Sequence, residues 1–234
     1  MANHQIFITG STGLMGTHLI PSLLTHGHSV RALVRPGSES KLPPGCISIP
    51  GNPLDASTYQ AHISPADTFI HLIGVSHPSP AKAAQFRSVD LKSVEEAAQA
   101  ARVAGIRHFI YLSVAHPAPV MKAYIAARSE GEALLRASGM DATFVRPWYV
   151  LGPGRRWPLA LMPVYWLLEQ FPSTRESARR LGLVSIDQMV ATLASAVENP
   201  PPGDSHYRNA SNPERFRSLN QFKRFCHGQI RRSS

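Results

Sequence analysis

The chain has 234 residues, 43% of them hydrophobic and 17% charged, which supplies a packed core and excludes a disordered chain. Its formal net charge is +9 at pH 7, with 11 Lys/Arg against 8 Asp/Glu in residues 1–140 and 13 against 7 in residues 141–234. The basic residues are scattered, so no nucleic-acid partner is expected, and Cys46 and Cys226 match no metal-ligand spacing, so no metal is expected.

The first element is the apolar run Ile6-Phe7-Ile8, a strand that begins at once and leaves no room for a leader segment. Thr9-Gly10-Ser11-Thr12-Gly13-Leu14-Met15-Gly16 follows it and opens a helix through Leu24. Strand, glycine turn and helix in that order make a cradle for the phosphates of a dinucleotide. Gly10 turns the chain off the strand. Gly13 lets backbone approach the diphosphate, and Gly16 lets the helix pack closely. The uncapped N–H groups of the helix start face the anion. The spacing is Gly-x-x-Gly-x-x-Gly, and its position between strand and helix gives it its force.

Further strands are predicted at 29–34, 46–49, 68–73, 107–112 and 142–146. A long helix runs over 81–104 and stops at Gly105, and another runs over 124–138 and stops at Gly139. Alternation of this kind predicts an α/β fold, a doubly wound parallel (Rossmann) sheet with helices on both faces. Residues 1–147 are expected to form the dinucleotide-binding core. Residues 148–234 would add a small C-terminal lobe and the remaining core elements of the same domain. Residues 147–180 hold all three tryptophans, Trp148, Trp157 and Trp166, as a lobe closing over the open end of the sheet would. Pro200-Pro201-Pro202-Gly203 reads as a turn, and the basic stretch 221–234 as a loose end.

The end of the second strand selects between the two nicotinamide dinucleotides. Arg35 stands there in place of an acidic residue, and a guanidinium fork suits a ribose 2′-phosphate. NADP is therefore the expected cofactor and NAD the lesser one. A solvated surface arginine is the other reading of Arg35.

On these residues the chain resembles the short-chain dehydrogenase/reductase superfamily, in its atypical or extended branch of NAD(P)-dependent epimerase/dehydratase-like, NAD(P)H-binding proteins. The resemblance covers the glycine turn from Gly10 through Ser11, Thr12, Gly13, Leu14 and Met15 to Gly16. It extends to Gly51-Asn52-Pro53-Leu54-Asp55, which looks like the family's turn against adenine with Asn52 in place of an aspartate. His71-Leu72-Ile73-Gly74 looks like the fourth-strand end, where Gly74 would let the ribose approach. Val145-Arg146-Pro147 resembles the family's Arg-Pro step, which would put Pro147, Tyr149 and Val150 near the nicotinamide.

The resemblance assigns the chemistry to Ser113, Tyr124 and position 128. The family has lysine there, and this chain has Arg128. A spacing of four keeps Tyr124 and Arg128 on one helix face. Arginine supplies the positive charge that favours an ionised phenol, but its planar fork differs from a lysine's point donor toward ribose. Two readings follow. In one, Tyr124 is the acid or base, Ser113 polarises a substrate carbonyl, and Arg128 tunes Tyr124 and touches ribose. In the other, the protein binds the dinucleotide without efficient hydride transfer, as a sensor or assembly protein. The nitrogen-metabolite-repression regulators and an accessory subunit of respiratory complex I are proteins of that kind. Asp187 reads as a helix N-cap, and His116 as a loop histidine. A small-molecule substrate, a cytoplasmic location and a possible oligomer complete the expectations. The ten residues Leu159–Leu168, interrupted by Pro163, fall short of the roughly 20 that span a bilayer. The segment Trp157–Leu168 is either a membrane-surface contact, a pocket wall or a dimer face.

Overall fold

A computed structural model of the chain describes residues 3–116, 121–147, 149–151, 183–200 and 207–210. The aromatic lobe, the Trp157–Leu168 run, the Pro201-Pro202-Gly203 part of the proline turn, Cys226 and the basic tail lie outside those residues.

The chain alternates as the sequence predicts. Strand β1 (Gln5–Thr9) leads through helix α1 (Leu14–Thr25) to β2 (Ser29–Val34) and β3 (Ile47–Pro50). β4 (Thr68–His71) precedes a helical stretch made of α2 (Ala83–Gln85), a π-helical turn (Phe86–Leu91) and α3 (Lys92–Val103). Then come β5 (His108–Leu112), α4 (Lys122–Ala137) and β6 (Asp141–Val145). Beyond them lie β7 (Tyr149–Leu151), β8 (Leu183–Ser185), α5 (Ile186–Glu198) and β9 (Tyr207–Ala210). The helix expected over 81–104 is thus interrupted by the π turn, while Gly105 and Gly139 take positive φ just past the ends of α3 and α4.

Seven strands form one parallel sheet in the order β3-β2-β1-β4-β5-β6-β9, and β7 and β8 form a separate parallel pair. The order reverses between β1 and β4, and ligands bind at such a switch point, outside the carboxyl ends of the strands. The sequence accounts for six of the seven strands. β9 brings the chain back to the far edge of the core sheet beside β6, while β8 pairs with β7 outside it.

Strand alternation sorts the core into two faces. Phe7, Phe69, Phe109 and Phe144 point to the α3/α4 face, where they meet Val94, Ala97 and Leu135. Ile6, Ile8, Ile70 and Ile110 point the other way, against Leu19 and Leu23 of α1 and Leu193 and Val197 of α5. Register puts Phe7 beside Phe69 and Phe69 beside Phe109. The rings therefore form a row across β1, β4 and β5, with centroids 5.2 and 4.9 Å apart. α5 starts with a capping box: Ser185 accepts from the Gln188 N–H, and the Gln188 side chain accepts from the Ser185 N–H. Ser185 is the N-cap, and Asp187 lies inside the first turn. This corrects the sequence assignment of Asp187 as the cap. A serine followed three residues later by glutamine is itself a cap signature.

Phe69 is fully buried at the centre of the aromatic row. Phe69→Ala is expected to cost about 3–5 kcal/mol, seen as a lower urea midpoint at unchanged slope. Ile47→Ala, on the edge strand at 50% exposure, is expected to stay within about 0.5 kcal/mol of the parent. Equal losses from the two would contradict this account of the core.

Candidate functional site

The site grows from the end of β1. Gly10 has φ +76°, and a Cβ there would stand 2.9 Å from the Leu72 backbone just beyond β4. The turn thus needs glycine twice over, for its left-handed backbone and for its approach to the neighbouring strand. The Gly13 N–H donates to the Gly10 carbonyl at 3.1 Å and closes the turn. Gly13 is the N-cap of α1 and offers no capping side chain, so the helix start keeps donors and a positive dipole end for an anion. Gly16 has a different task from the expected packing on the sheet: a Cβ there would strike the Ser11 and Gly10 carbonyls, so the helix closes on its own turn. Ser11 is buried, and its hydroxyl donates to the Leu33 carbonyl at 2.5 Å, tying the turn to β2.

Behind the turn, His71 is fully buried. Its Nδ1 and the Thr9 hydroxyl are 2.9 Å apart, and its Nε2 and the Ser93 hydroxyl 3.2 Å. Burial, helped by the Arg128 charge, pushes its pKa down to about 3, so the imidazole is neutral at ordinary pH.

A cleft of about 690 Å3 opens in front. Gly10, Thr12, Gly13, Leu14 and Met15 line one side. Gly74 to Pro78 and Leu112 to Val114 line another, with Tyr124, Arg128, Pro147 and Val150. The fold therefore gathers Ser113, Tyr124, Arg128, Gly74, Pro147 and Val150 around the glycine turn. The Ser113 N–H donates to the Val145 carbonyl, and the Ala115 N–H to the Pro147 carbonyl, so the segments after β5 and β6 run together. Ser113 is almost fully buried, with its hydroxyl beside the Glu132 carboxylate. Tyr149 belongs to β7.

Arg35, Asn52, Pro53 and Leu54 do not line the cleft. Arg35 is exposed past the end of β2. The Asn52 Oδ1 accepts from the Leu54 N–H at 3.1 Å and so shapes its own turn.

Arg128 is held in a manner the sequence did not disclose. Its side chain is 4% exposed. Nη1 donates to the Leu112 carbonyl at 2.9 Å, and Nη2 donates to the Ile73 carbonyl at 2.9 Å and to Asp90 Oδ1 at 2.7 Å. Its carbon lies 5.6 Å from the Tyr111 ring centre and 5.3 Å from that of Tyr124. Burial works against its charge, but Tyr124, Tyr111 and Asp90 outweigh burial and hold the guanidinium protonated. Gly74 serves this group. A Cβ there would collide with Nη2, so the glycine makes room for Arg128, where the sequence reading had it admit ribose.

Asp90 and Glu132, both 0% exposed, were missed in the sequence. Asp90 Oδ2 accepts from the Val75 N–H at 3.0 Å, and burial raises its pKa against the pull of Arg128 and that N–H. Glu132 binds Arg146 and Arg136, with Nε of Arg146 at 2.7 Å and Nη2 of Arg136 at 2.8 Å. Burial raises its pKa, but Arg146, Ser113 and Arg136 prevail and leave it below the usual carboxylate range. His116 Nε2 lies 3.5 Å from Glu132 Oε1. The Glu132–Arg146 pair fixes the step into Pro147. No described group of histidine, cysteine or acidic residues can hold a metal ion, and no described helix is long and apolar enough to cross a membrane.

The cradle fits a nicotinamide dinucleotide. The uncapped helix start suits its diphosphate, and the cleft volume lies in the range of small-molecule sites. A family profile described as NAD(P)H-binding matches residues 10–156. Ceramide reductase of Caulobacter vibrioides is 28% identical in an alignment of 210 residues, covering 86% of this chain and 63% of that protein. The chain thus spans less than two thirds of that relative. UDP-glucose 4-epimerase of Vibrio cholerae is 27% identical, over 84% of this chain and 67% of that one. Among solved structures, the Bordetella bronchiseptica enzyme WbmG in complex with NAD has a TM-score of 0.65 at 20% identity, over 90% of this chain and 73% of its own. DesIV of Streptomyces venezuelae, a dTDP-glucose 4,6-dehydratase with NAD bound, has a TM-score of 0.65 at 18% identity, over 88% and 76%. The two structures share the fold.

The buried imidazole at the back of the site sets a pH dependence. An unfolded histidine takes up a proton below about pH 6.5, whereas folded His71 stays neutral down to about 3. The stability it contributes is complete above about pH 6.5 and drains away as pH falls toward that lower value. The urea midpoint is expected to drop between about pH 7.5 and about pH 5, and His71→Asn to flatten the drop. A midpoint constant across that window would contradict it.

Proposed function

The chain belongs to the NAD(P)H-binding family, in the epimerase/dehydratase-like part of the short-chain dehydrogenase/reductase superfamily, and from that premise we propose that it is an NADP(H)-dependent oxidoreductase, epimerase or dehydratase acting on a carbonyl or hydroxyl group of a small molecule. The observation that carries this reading is the convergence of Ser113, Tyr124 and Arg128 on the cleft that the glycine turn opens.

The turn from Gly10 to Gly16 and the start of α1 would hold the diphosphate. Arg35, exposed past the end of β2, would meet a ribose 2′-phosphate, for which a guanidinium fork is suited. The bound dinucleotide supplies the hydride acceptor or donor. Tyr124 moves the proton at the substrate oxygen, giving it in the reducing direction and taking it in the oxidising one. The Ser113 hydroxyl, on the wall of the same cleft, donates to the same oxygen and stabilises the charge that develops there. The Arg128 guanidinium lies over the Tyr124 ring, 5.3 Å from its centre, and this contact holds the ring in place at the cleft wall.

NADPH oxidation against a carbonyl panel tests the reading. The panel includes a long-chain ketone and a nucleotide-linked keto sugar, after the names of the two relatives. Tyr124→Phe is expected to cut turnover by about 10²–10⁴-fold while the dinucleotide still binds. A parent that binds dinucleotide, turns over nothing and ignores Tyr124→Phe would be a non-catalytic sensor.

Cofactor choice is tested apart from turnover. NADPH is expected to bind more tightly than NADH, and Arg35→Ala to narrow the gap by roughly tenfold to a hundredfold, the worth of a hydrogen bond to a charged group. Equal affinities in the parent would overturn the preference.

A further inference from the structure

Tyr124 and Arg128 stand one turn apart on α4, and a matching pair faces them from the π-helical turn. Phe86 lies against the Tyr124 ring with centroids 5.1 Å apart, and Asp90, four residues on, takes Arg128 Nη2 at 2.7 Å. The wide winding of a π turn sets Phe86 and Asp90 on one side, and such turns recur at functional sites. Both are buried. One segment therefore grips both members of the Tyr124/Arg128 pair.

The grip decides what Arg128 can do. The two hydrogens of Nη2 go to the Ile73 carbonyl and to Asp90. Nη2 sits where a Gly74 side chain would be, on the wall of the cleft. A guanidinium released there would present a donor and an uncompensated charge to an anionic ligand. Held by Asp90, it presents neither, and it stays across the Tyr111 and Tyr124 rings.

We propose that Asp90 is a positioning residue for the reaction. It holds the Arg128 guanidinium under Tyr124 and cancels its charge toward the cleft, so that Arg128 acts on Tyr124 and is withheld from the dinucleotide. This rests on the reading of Tyr124 as the proton-transfer group.

Asp90→Asn keeps the shape and removes the counter-charge. It is expected to lower kcat by about 10²-fold, the cost of a misplaced group. NADPH affinity at low salt should stay the same or tighten, and should weaken more steeply with added salt as an exposed charge is screened. Asp90→Glu restores the counter-charge and is expected to return the salt dependence to that of the parent. A folded Asp90→Asn protein with parental kcat overturns the proposal. So does a parallel loss of kcat and affinity that tracks the folded fraction by circular dichroism, which is what a merely structural role gives. An Asp90→Glu protein with the salt dependence of Asp90→Asn overturns it too. If Asp90→Asn does not fold, Asp90→Glu carries the test alone: its longer arm shifts the guanidinium, so kcat falls while KM holds, and equal damage to both overturns the proposal. A parent without turnover sinks the functional reading instead, and the salt dependence of NADPH binding still decides where Asp90 keeps Arg128.

Discussion

A guanidinium buried at the carboxyl end of a parallel sheet must find acceptors or cost several kcal/mol. Arg128 finds them at the Ile73 and Leu112 carbonyls and at Asp90. Two of these partners lie at or just past the ends of adjacent strands, β4 and β5, and the third comes from the π turn. Meeting one side chain's demand therefore ties together three walls of the cleft. It also dictates Gly74, which must leave the space open. The helix that carries Arg128 is fixed by the same contacts, and with it the ring of Tyr124.

A second buried charge governs the other side. Glu132 lies one turn beyond Arg128 on α4 and holds Arg146 at the end of β6. Arg136 and Arg146 both lie against the face of Phe144, with their carbons 4.6 and 5.7 Å from its centre. α4 is thus pinned to β4 and β5 through one residue and to β6 through another. The segment that continues into Pro147 leaves the sheet from a fixed point. Rigid support of this sort lets a cleft hold reacting groups in register.

Much of this was legible in the residues. Apolar runs spaced by helical stretches gave six strands, and glycines marked where α3 and α4 end. The glycine turn located the ligand end of the sheet, and Ser113 and Tyr124 arrive there. What stayed hidden was non-local or polar. β9 reads Tyr-Arg-Asn-Ala, four residues with no apolar alternation, and only pairing with β6 makes it a strand. Asp90 sits in a helical stretch where an acid is most simply a solvated face, and nothing local announces a π turn. The occupant of the space beside Gly74 comes from 54 residues further along the chain. The serine cap of α5 carried a readable signature, and the nearby acid drew the assignment instead.

The reversal of strand order has a kinetic side. β1 pairs with β4, so that Ile6 lies beside Thr68, and the chain between them must close a long loop first. β6 pairs with β9 across a similar separation, with Ala142 beside Tyr207. Neither pairing can form early by local zipping, which places the chain among slow-folding topologies. The glycine turn and the wall opposite it therefore meet late, when β1 and β4 dock. Before that moment the half-made sheet exposes the strand edges that invite association with other copies. A dinucleotide captured by the completed cleft would act on this balance from the native end, drawing chains out of the unfinished pool by mass action.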